Sequence, residues 1–158
     1  MGLLEPHARH RRRDGAPGLS APAVEIRSIA DARAAAVAAG QLGLSVMLVS
    51  IRAGASSLGP LAFQAMVEAT RAEHPLARIE SAIDCADAEG RVLHAVRAGC
   101  AAAIYDGRAD VAARLAEIAA AAGARLLTER PPALSLAGAR DPLGACRAWI
   151  KSRSTAVA

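Results

Sequence analysis

Carboxylates that directly follow apolar segments are the residues of this chain best suited to chemistry. Asp84 ends one apolar segment, and Asp106 ends another and begins an Asp-Gly turn. Two such carboxylates, brought together, could hold a divalent cation or divide the roles of general acid and general base. Aspartate is also common in helix caps and turns, and these carboxylates could simply pair with Arg108 and Arg130, so a purely structural role stays open. Asp84 and Asp106 are therefore candidate catalytic residues and candidate metal ligands, with a divalent cation as the candidate cofactor.

Cys85 is a third candidate for catalysis, because it follows Asp84 and precedes a predicted helix. A helix N-terminus can lower the pKa of a thiol and make it nucleophilic. A base for such a thiol is not evident nearby, since His74 precedes Pro75 in a loop and His94 falls within a predicted helix. The alternative is that Cys85 is a small apolar residue that fills space.

A loop rich in glycine and serine at 52–59 is the best candidate for binding an anion. The loop leads into a predicted helix, whose first backbone N–H groups and dipole favour negative charge. It lacks the Lys-Ser/Thr pair of a P-loop and the spacing of a dinucleotide-binding loop. A tight turn of small residues is the simpler alternative. The candidate ligand-binding residues are Arg52, Gly54, Ser56, Ser57 and Arg108.

The hydrophobic pattern gives these candidates a common location. Short apolar or alternating runs predict strands at 24–26, 44–51, 77–84, 100–105 and 125–128. Helical patterns predict helices from Ser28 to 39, from Pro60 to 73, from an Asp87 cap to 98, from 109 to 122 and from Asp141-Pro142 to 150. Because the carboxyl ends of parallel strands share one edge of a sheet, the candidate residues should converge there.

The alternation of strands and helices predicts the fold class. We expect an α/β fold in a single domain, with a five-stranded, mostly parallel sheet and helices on both faces. The pattern fits either a half-barrel or a flavodoxin-like repeat of βα units. The domain should span 23–130, preceded by a disordered basic tail at 1–22 and followed by a C-terminal extension at 131–158 with one short helix.

Composition argues against several classes of function. The net charge of +4 comes from the two ends of the chain, because residues 21–140 carry 12 arginines and 12 acidic residues. A neutral middle and an aromatic content of 2% argue against nucleic-acid binding. The three cysteines lack CxxC spacing, and no apolar run is long enough to cross a membrane. We expect a cytoplasmic protein that binds neither nucleic acid nor a membrane.

Residues 44–107 resemble the middle of the class II, metal-dependent fructose-bisphosphate aldolases. In that family a strand ends in His-Leu-Asp-His, and a later apolar strand is followed by Asp-Gly-Ser. The corresponding segments here are Ala82-Ile83-Asp84-Cys85 and the run from Ala98 to Arg108. The resemblance implies a barrel-like half-unit, with Asp84 in the place of the proton-transferring aspartate and Cys85 in that of a zinc-binding histidine.

The chain departs from that pattern at residues that carry the family's chemistry. Ala82 replaces the first histidine, and Arg108 replaces the serine. Because no complete catalytic set is visible, we expect a small domain that binds a small anionic molecule or a protein partner, with homo-oligomer formation left open. The alternative that the resemblance implies is a metal-assisted lyase or another phosphate-handling enzyme.

Overall fold

The structure, a computed structural model, describes residues 21–155. That part of the chain contains the strands β1 (Ala23–Ile26), β2 (Ser45–Ser50), β3 (Arg78–Asp84), β4 (Ala102–Ile104), β5 (Arg125–Leu127) and β6 (Ala133–Ser135). Its helices are α1 (Ile29–Leu42), α2 (Gly54–Ser57), α3 (Pro60–Glu73), α4 (Glu89–Arg97), α5 (Ala109–Ala121) and α6 (Pro142–Thr155). Most of the predicted tail at 1–22 lies outside the described residues. Pro22 is already tied to the sheet, since its carbonyl accepts a hydrogen bond of 2.9 Å from Met47.

All the strands of the described chain belong to one parallel sheet, in the order β5-β4-β3-β2-β1-β6. The predicted α/β class and parallel sheet are confirmed, but the predicted number of five strands is wrong, since the sheet has six. The additional strand, β6, follows Pro131-Pro132 and is only 3 residues long. A segment that short carries no periodic signal. It pairs with β1, with Ala133 opposite Ala23.

The main helices pack on one face of the sheet, so the prediction of helices on both faces is wrong. Strands β1 to β5 are neighbours in chain order, and right-handed crossovers between such neighbours leave every helix on the same side. Buried residues of α1, α3, α4, α5 and α6 form one cluster with strand residues such as Val24, Leu48 and Ile83. The opposite face, here called the inner face, carries a separate cluster of strand residues: Ala23, Met47, Val49, Ala82, Ala102 and Ile104.

The sheet curls toward its inner face. Its edge strands, β5 and β6, are joined only by residues 128–132. In a flat sheet, five strand spacings of ~4.8 Å would place these strands ~24 Å apart. The connection reaches only ~21 Å when fully extended. Leu127 of β5 and Ala133 of β6 accordingly pack against the same inner cluster. The curl brings the connection between β5 and β6 close to the other strands of the sheet.

Local sequence explains where α1 begins and ends. Ser28 is its N-cap, and its Oγ accepts a hydrogen bond from the Asp31 N–H at 3.4 Å. The Asp31 carboxylate in turn accepts one from the Arg27 N–H at 2.9 Å, a reciprocal arrangement like a capping box. Gly43 ends the helix with a φ of +64°, a conformation that favours glycine. None of the helices in residues 21–155 is long and apolar enough to cross a membrane.

The C-terminal segment packs tightly on the rest of the sheet and helices. Cys146 and Ile150 of α6 are fully buried in the helix-face cluster. The indole Nε1 of Trp149 donates a hydrogen bond of 2.8 Å to the Ala23 carbonyl. The Arg153 guanidinium lies 4.3 Å from the centroid of the Trp149 ring. Helix α6 thus packs on α1 and is hydrogen-bonded to the amino end of β1.

Candidate functional site

A cluster centred on Arg130 occupies the carboxyl edge of the sheet. The Arg130 Nη1 donates to Asp84 Oδ2 at 2.8 Å, at the end of β3. Its Nη2 donates to Glu25 Oε2 on β1 at 2.9 Å and to the Ser50 carbonyl on β2 at 2.9 Å. We call these four residues the arginine cluster. One guanidinium therefore joins three strands, and the curl of the sheet makes this possible because Arg130 follows β5.

The Asp84 carboxylate is fixed by the backbone as well as by Arg130. Its Oδ1 accepts hydrogen bonds from the Ala53 N–H at 3.1 Å and from the Ala86 N–H at 2.9 Å. These alanines have positive φ values of 53° and 49°, an unfavourable conformation for a residue with a Cβ. The Asp84 N–H also donates to the Ser50 Oγ at 2.9 Å. Asp84 thus holds two turns in place.

The turn at Ala86 also explains why Asp87 does not cap a helix. The N-cap of α4 is Ala88, which makes no side-chain cap bond. The prediction of an Asp87 cap is therefore wrong: the chain bends at Ala86 before the helix begins. The side chain of Asp87 is exposed.

Glu25 is held differently from Asp84. Within residues 21–155 its carboxylate accepts hydrogen bonds only from arginine side chains, with Oε2 on Arg130 and Oε1 accepting from the Arg27 Nη2 at 3.3 Å. The Arg27 side chain is 57% exposed, whereas those of Glu25 and Arg130 are 17% and 13% exposed. An exposed ion pair contributes little to stability. The Arg130–Glu25 contact is therefore the main restraint on the Glu25 carboxylate.

The guanidinium of Arg130 retains hydrogen-bonding capacity. Arginine has five N–H donors, and the described residues accept three hydrogen bonds from this one. Arg52 lies two residues beyond the Ser50 carbonyl and is exposed. In residues 21–155 it makes no ion pair, unlike Arg27 and Arg130. The carboxyl edge of β1, β2 and β3 therefore carries the nearly buried guanidinium of Arg130 and the exposed guanidinium of Arg52.

The loop at 52–59 uses its own backbone donors internally. Gly54 N–H donates to the Ile51 carbonyl at 2.9 Å, and Ser56 N–H donates to that of Ala53 at 2.9 Å. Four further donors of the loop have acceptors within the protein: the N–H groups of Ala53, Ser57, Leu58 and Gly59. What this loop can present to an anion is therefore the Arg52 side chain and the exposed hydroxyl of Ser56 rather than a ring of free N–H groups, since the Ser57 hydroxyl donates to the Ala53 carbonyl at 3.4 Å.

Gly54 has a steric role in this loop. A Cβ at Gly54 would lie 2.5 Å from the Ser50 Oγ and 2.6 Å from the Ser50 Cβ. Because the Ser50 hydroxyl accepts from the Asp84 N–H, it has little freedom to move. Gly54 thus lets the loop approach the arginine cluster closely.

Asp106 and Arg108, two other predicted site residues, make no hydrogen bond to the arginine cluster within residues 21–155. Asp106 is exposed at the end of β4, and its N–H donates to the Ala86 carbonyl at 3.0 Å. Arg108 is exposed and pairs with Asp110 at 2.8 Å. Residues 21–155 contain no group of three His, Cys, Asp or Glu side chains that could hold a metal ion. Asp84 and Asp106 belong to no such group of three, and their pairing around a cation stays a prediction.

Cys85 lies on the helix face, in the opposite direction from Asp84. It is 1% exposed and belongs to the main hydrophobic cluster. Burial, reinforced by the negative charge of Asp84, raises the pKa of the Cys85 thiol to about 12. The thiol therefore stays protonated at neutral pH, which favours the packing role over the nucleophilic one.

Arg130 and Glu25 are the site residues that sequence reasoning did not select. Glu25 carried one signal, since it is the acidic residue between Val24 and Ile26 in a strand. Its side chain must then face away from the helix-covered face. The position of Arg130 after the last predicted strand makes it a possible partner of the edge carboxylates, but the sequence does not identify its actual partners, which lie 46, 80 and 105 residues away in the chain.

A groove lies at the other end of the sheet from the arginine cluster. It has a volume of about 330 Å³ and is lined by residues of α1 and of the connection between α3 and β3, including Val37, His74 and Leu76. Its lining contains no arginine. The candidate site therefore rests on the arginine cluster and not on this groove.

No protein-family model matches the sequence, and no curated protein matches it. Among solved structures, the chain is similar to a probable tagatose 6-phosphate kinase from Sinorhizobium meliloti 1021, with a TM-score of 0.47 and 17% sequence identity. The match covers 88% of this chain and 46% of that chain, so this chain spans less than half the length of the protein it matches.

Proposed function

We propose that this domain binds a small anionic molecule, bearing a carboxylate or phosphate group, at the arginine cluster and carries out no chemistry of its own. One observation carries the proposal: a guanidinium only 13% exposed lies across the carboxyl ends of three strands with donors to spare. Parallel α/β sheets bind their ligands at this edge. Arginine is the side chain best suited to planar, bidentate recognition of carboxylate and phosphate.

The charges at the carboxyl edge favour the binding of an anion near the ends of β1, β2 and β3. Arg130 and Arg27 offset the charges of Asp84 and Glu25, and exposed Arg52 adds a positive charge beside them. Above β4 and β5 the balance differs, because Asp106 and Glu129 are exposed there. An anion is therefore favoured on the side of the edge where Arg52 lies.

The partners of the acidic residues support binding without catalysis. Asp84 accepts two backbone N–H groups and one guanidinium N–H. A general base needs a lone pair directed at the substrate proton, whereas three protein donors hold this carboxylate in a structural role and occupy most of its acceptor sites. The buried Cys85 thiol, with a pKa raised to about 12, supplies no nucleophile either.

The proposal is tested by titrating the full-length chain with inorganic phosphate and with succinate in a calorimeter. We expect saturable binding by at least one of these probes and a rise in the melting temperature at saturation. The variant Arg52→Ala should weaken the binding by about fivefold or more, the loss expected when one charged contact is removed. If neither probe binds at concentrations up to ~10 mM, which is ten times the Kd of a millimolar site, the proposal is overturned.

Arg97→Ala is the matched control. Arg97 is exposed in the last turn of α4, at the amino end of the sheet, and makes no ion pair within residues 21–155. It carries the same charge as Arg52 but lies away from the arginine cluster. Equal losses in the two variants would show that only the net charge of the protein matters, and that the carboxyl edge is not the site.

A further inference from the structure

Two carboxylates share the Arg130 guanidinium, and they differ in how easily they can be replaced. Asp84 is anchored by the Ala53 and Ala86 N–H groups and is 7% exposed. Among the residues that the structure describes, no backbone N–H donates to the Glu25 carboxylate, and this side chain is 17% exposed. Displacing Asp84 would release two turns of the backbone, whereas displacing Glu25 requires only a change of side-chain rotamer.

We propose that the Glu25 carboxylate occupies the position of the ligand's anionic group, so that a bound ligand replaces Glu25 on Arg130. This inference rests on the proposed function and adds an intramolecular competitor to it. The Glu25 Oε2 sits 2.9 Å from the Arg130 Nη2, the distance at which a ligand oxygen would sit. A carboxylate that already occupies this donor lowers the apparent affinity for an external anion, because a ligand oxygen can reach Nη2 only after Glu25 has left it.

A receiving partner for the displaced side chain is already in place. The Arg27 Nη2 lies 3.3 Å from the other oxygen of the same carboxylate, at the solvent-exposed margin of the arginine cluster. Glu25 can therefore leave Arg130 and keep an arginine as its partner. The exchange conserves charge pairing, since the ligand's anion takes over Arg130 while Glu25 remains with Arg27.

The competitor also restricts the class of ligand. A neutral molecule in the place of Glu25 would remove one of the two carboxylates that face this nearly buried guanidinium and would not replace its charge. The ligand group must therefore carry a full negative charge and present an oxygen to Arg130 Nη2. Carboxylates and phosphate esters satisfy this requirement, whereas sugars and alcohols without a charged group do not.

The test compares binding of succinate and inorganic phosphate to the full-length wild-type chain and to Glu25→Gln. The glutamine keeps the length of the side chain and an oxygen acceptor but removes its charge, so we expect about tenfold tighter binding. Glu129→Gln is the matched control, because Glu129 precedes Arg130, is exposed, and makes no ion pair within residues 21–155. It should tighten binding by less than about twofold, since exposed charges interact weakly.

The outcomes separate this inference from the proposed function. Binding that depends on Arg52 but is unchanged or weakened in Glu25→Gln overturns the competitor role and leaves anion binding standing. Equal tightening in Glu25→Gln and Glu129→Gln overturns it too, because general electrostatics would then explain the effect. Absence of binding in both the wild type and Glu25→Gln overturns both proposals. If Glu25→Gln folds poorly, Glu25→Asp replaces it in the test. The shorter side chain keeps the charge but draws the carboxylate back from Arg130. Unchanged affinity in Glu25→Asp likewise contradicts the competitor role.

Discussion

At the residue scale, Asp84 is the side chain on which the carboxyl edge depends. It is nearly buried, it pairs with Arg130, and it accepts the N–H groups of two turns with positive φ. Asp84→Asn keeps the shape but removes the charge that Arg130 faces. We expect a loss of about 2–3 kcal/mol in the free energy of unfolding, the usual worth of a hydrogen bond to a charged group. Urea denaturation followed by circular dichroism measures this loss.

Asp87→Asn is the control for that variant. Asp87 has the same side chain, is exposed, and lies three residues further along the chain. Its substitution should change stability by less than about 0.5 kcal/mol, as is usual for surface positions. Equal effects of the two substitutions would show that Asp84 has no special structural role.

Two glycines give a second comparison at this scale. In Gly54→Ala the new Cβ would lie 2.5 Å from Ser50 Oγ, so the loop must shift, at a cost of about 1–3 kcal/mol. Gly40 lies within α1 with no atom near its added Cβ. Gly40→Ala should therefore stabilise the protein by about 0.5–1 kcal/mol through helix propensity. Thermal denaturation of both variants should give shifts of opposite sign, and shifts of the same sign would contradict the packing described at Gly54.

At the scale of elements, the three cysteines belong to the packing of strands and helices. Burial raises the pKa of Cys85 to about 12 and those of Cys100 and Cys146 to about 11. Because the folded pKa is raised, each thiol stabilises the fold fully below its ordinary pKa of 9.0, and that contribution is lost as pH rises through the folded value.

The same burial determines how the thiols react. At pH 8 we expect the native chain to react with iodoacetamide at least about a hundredfold more slowly than the chain in urea, because no thiolate is exposed. Mass spectrometry of the alkylated protein counts the modified cysteines. Rapid modification of Cys85 in the native chain would contradict its burial and would restore it as a candidate nucleophile.

Most elements could be predicted from the sequence because their signals are local. The apolar run Ser45–Ser50 indicates β2 directly, and Pro60 at the first turn of α3 fixes the start of that helix. By contrast, β6 is a strand only because β1 lies beside it. The order of the strands is also non-local, since an alternation of β and α fits both a sheet covered on one face and one covered on two.

The candidate site was predictable only in its location. The rule that ligands bind at the carboxyl edge correctly placed Asp84 and Arg52 there. It gave no information on which charges pair, because that depends on the curl that brings Arg130 over β1, β2 and β3.

At the scale of the whole molecule, the C-terminal segment, residues 131–155, covers surfaces of α1 and β1 that would otherwise be exposed. β6 pairs with β1, α6 buries Cys146 and Ile150, and Trp149 bonds to the Ala23 carbonyl. A chain that ends at residue 130 would expose the buried surfaces of α1 and β1. We expect it to lose cooperative unfolding and most of its helical circular dichroism, since its remaining core is too incomplete to offset the entropy of folding.

A truncated chain that unfolds cooperatively within about 5 °C of the full chain would show that residues 23–130 form an independent domain. The sequence-based boundary at 130 would then be correct, and the packing of α6 on α1 would contribute little. A milder variant, Trp149→Phe, keeps the ring but removes the hydrogen bond to Ala23. This variant should lower the free energy of unfolding by about 1 kcal/mol. It still measures the contribution of α6 to stability if the truncated chain is insoluble.

The most direct test of anion binding at the carboxyl edge is the NMR signal of the Arg130 Nε–H group. The described residues accept hydrogen bonds from both terminal nitrogens of Arg130 but none from its Nε, so this donor is free to report a ligand. Titration of the full-length, ¹⁵N-labelled chain with inorganic phosphate and with succinate should shift this signal to saturation while the Arg97 Nε–H stays in place. An unmoved Arg130 signal at probe concentrations that saturate binding by calorimetry, or equal shifts at Arg97, would contradict a site at the arginine cluster.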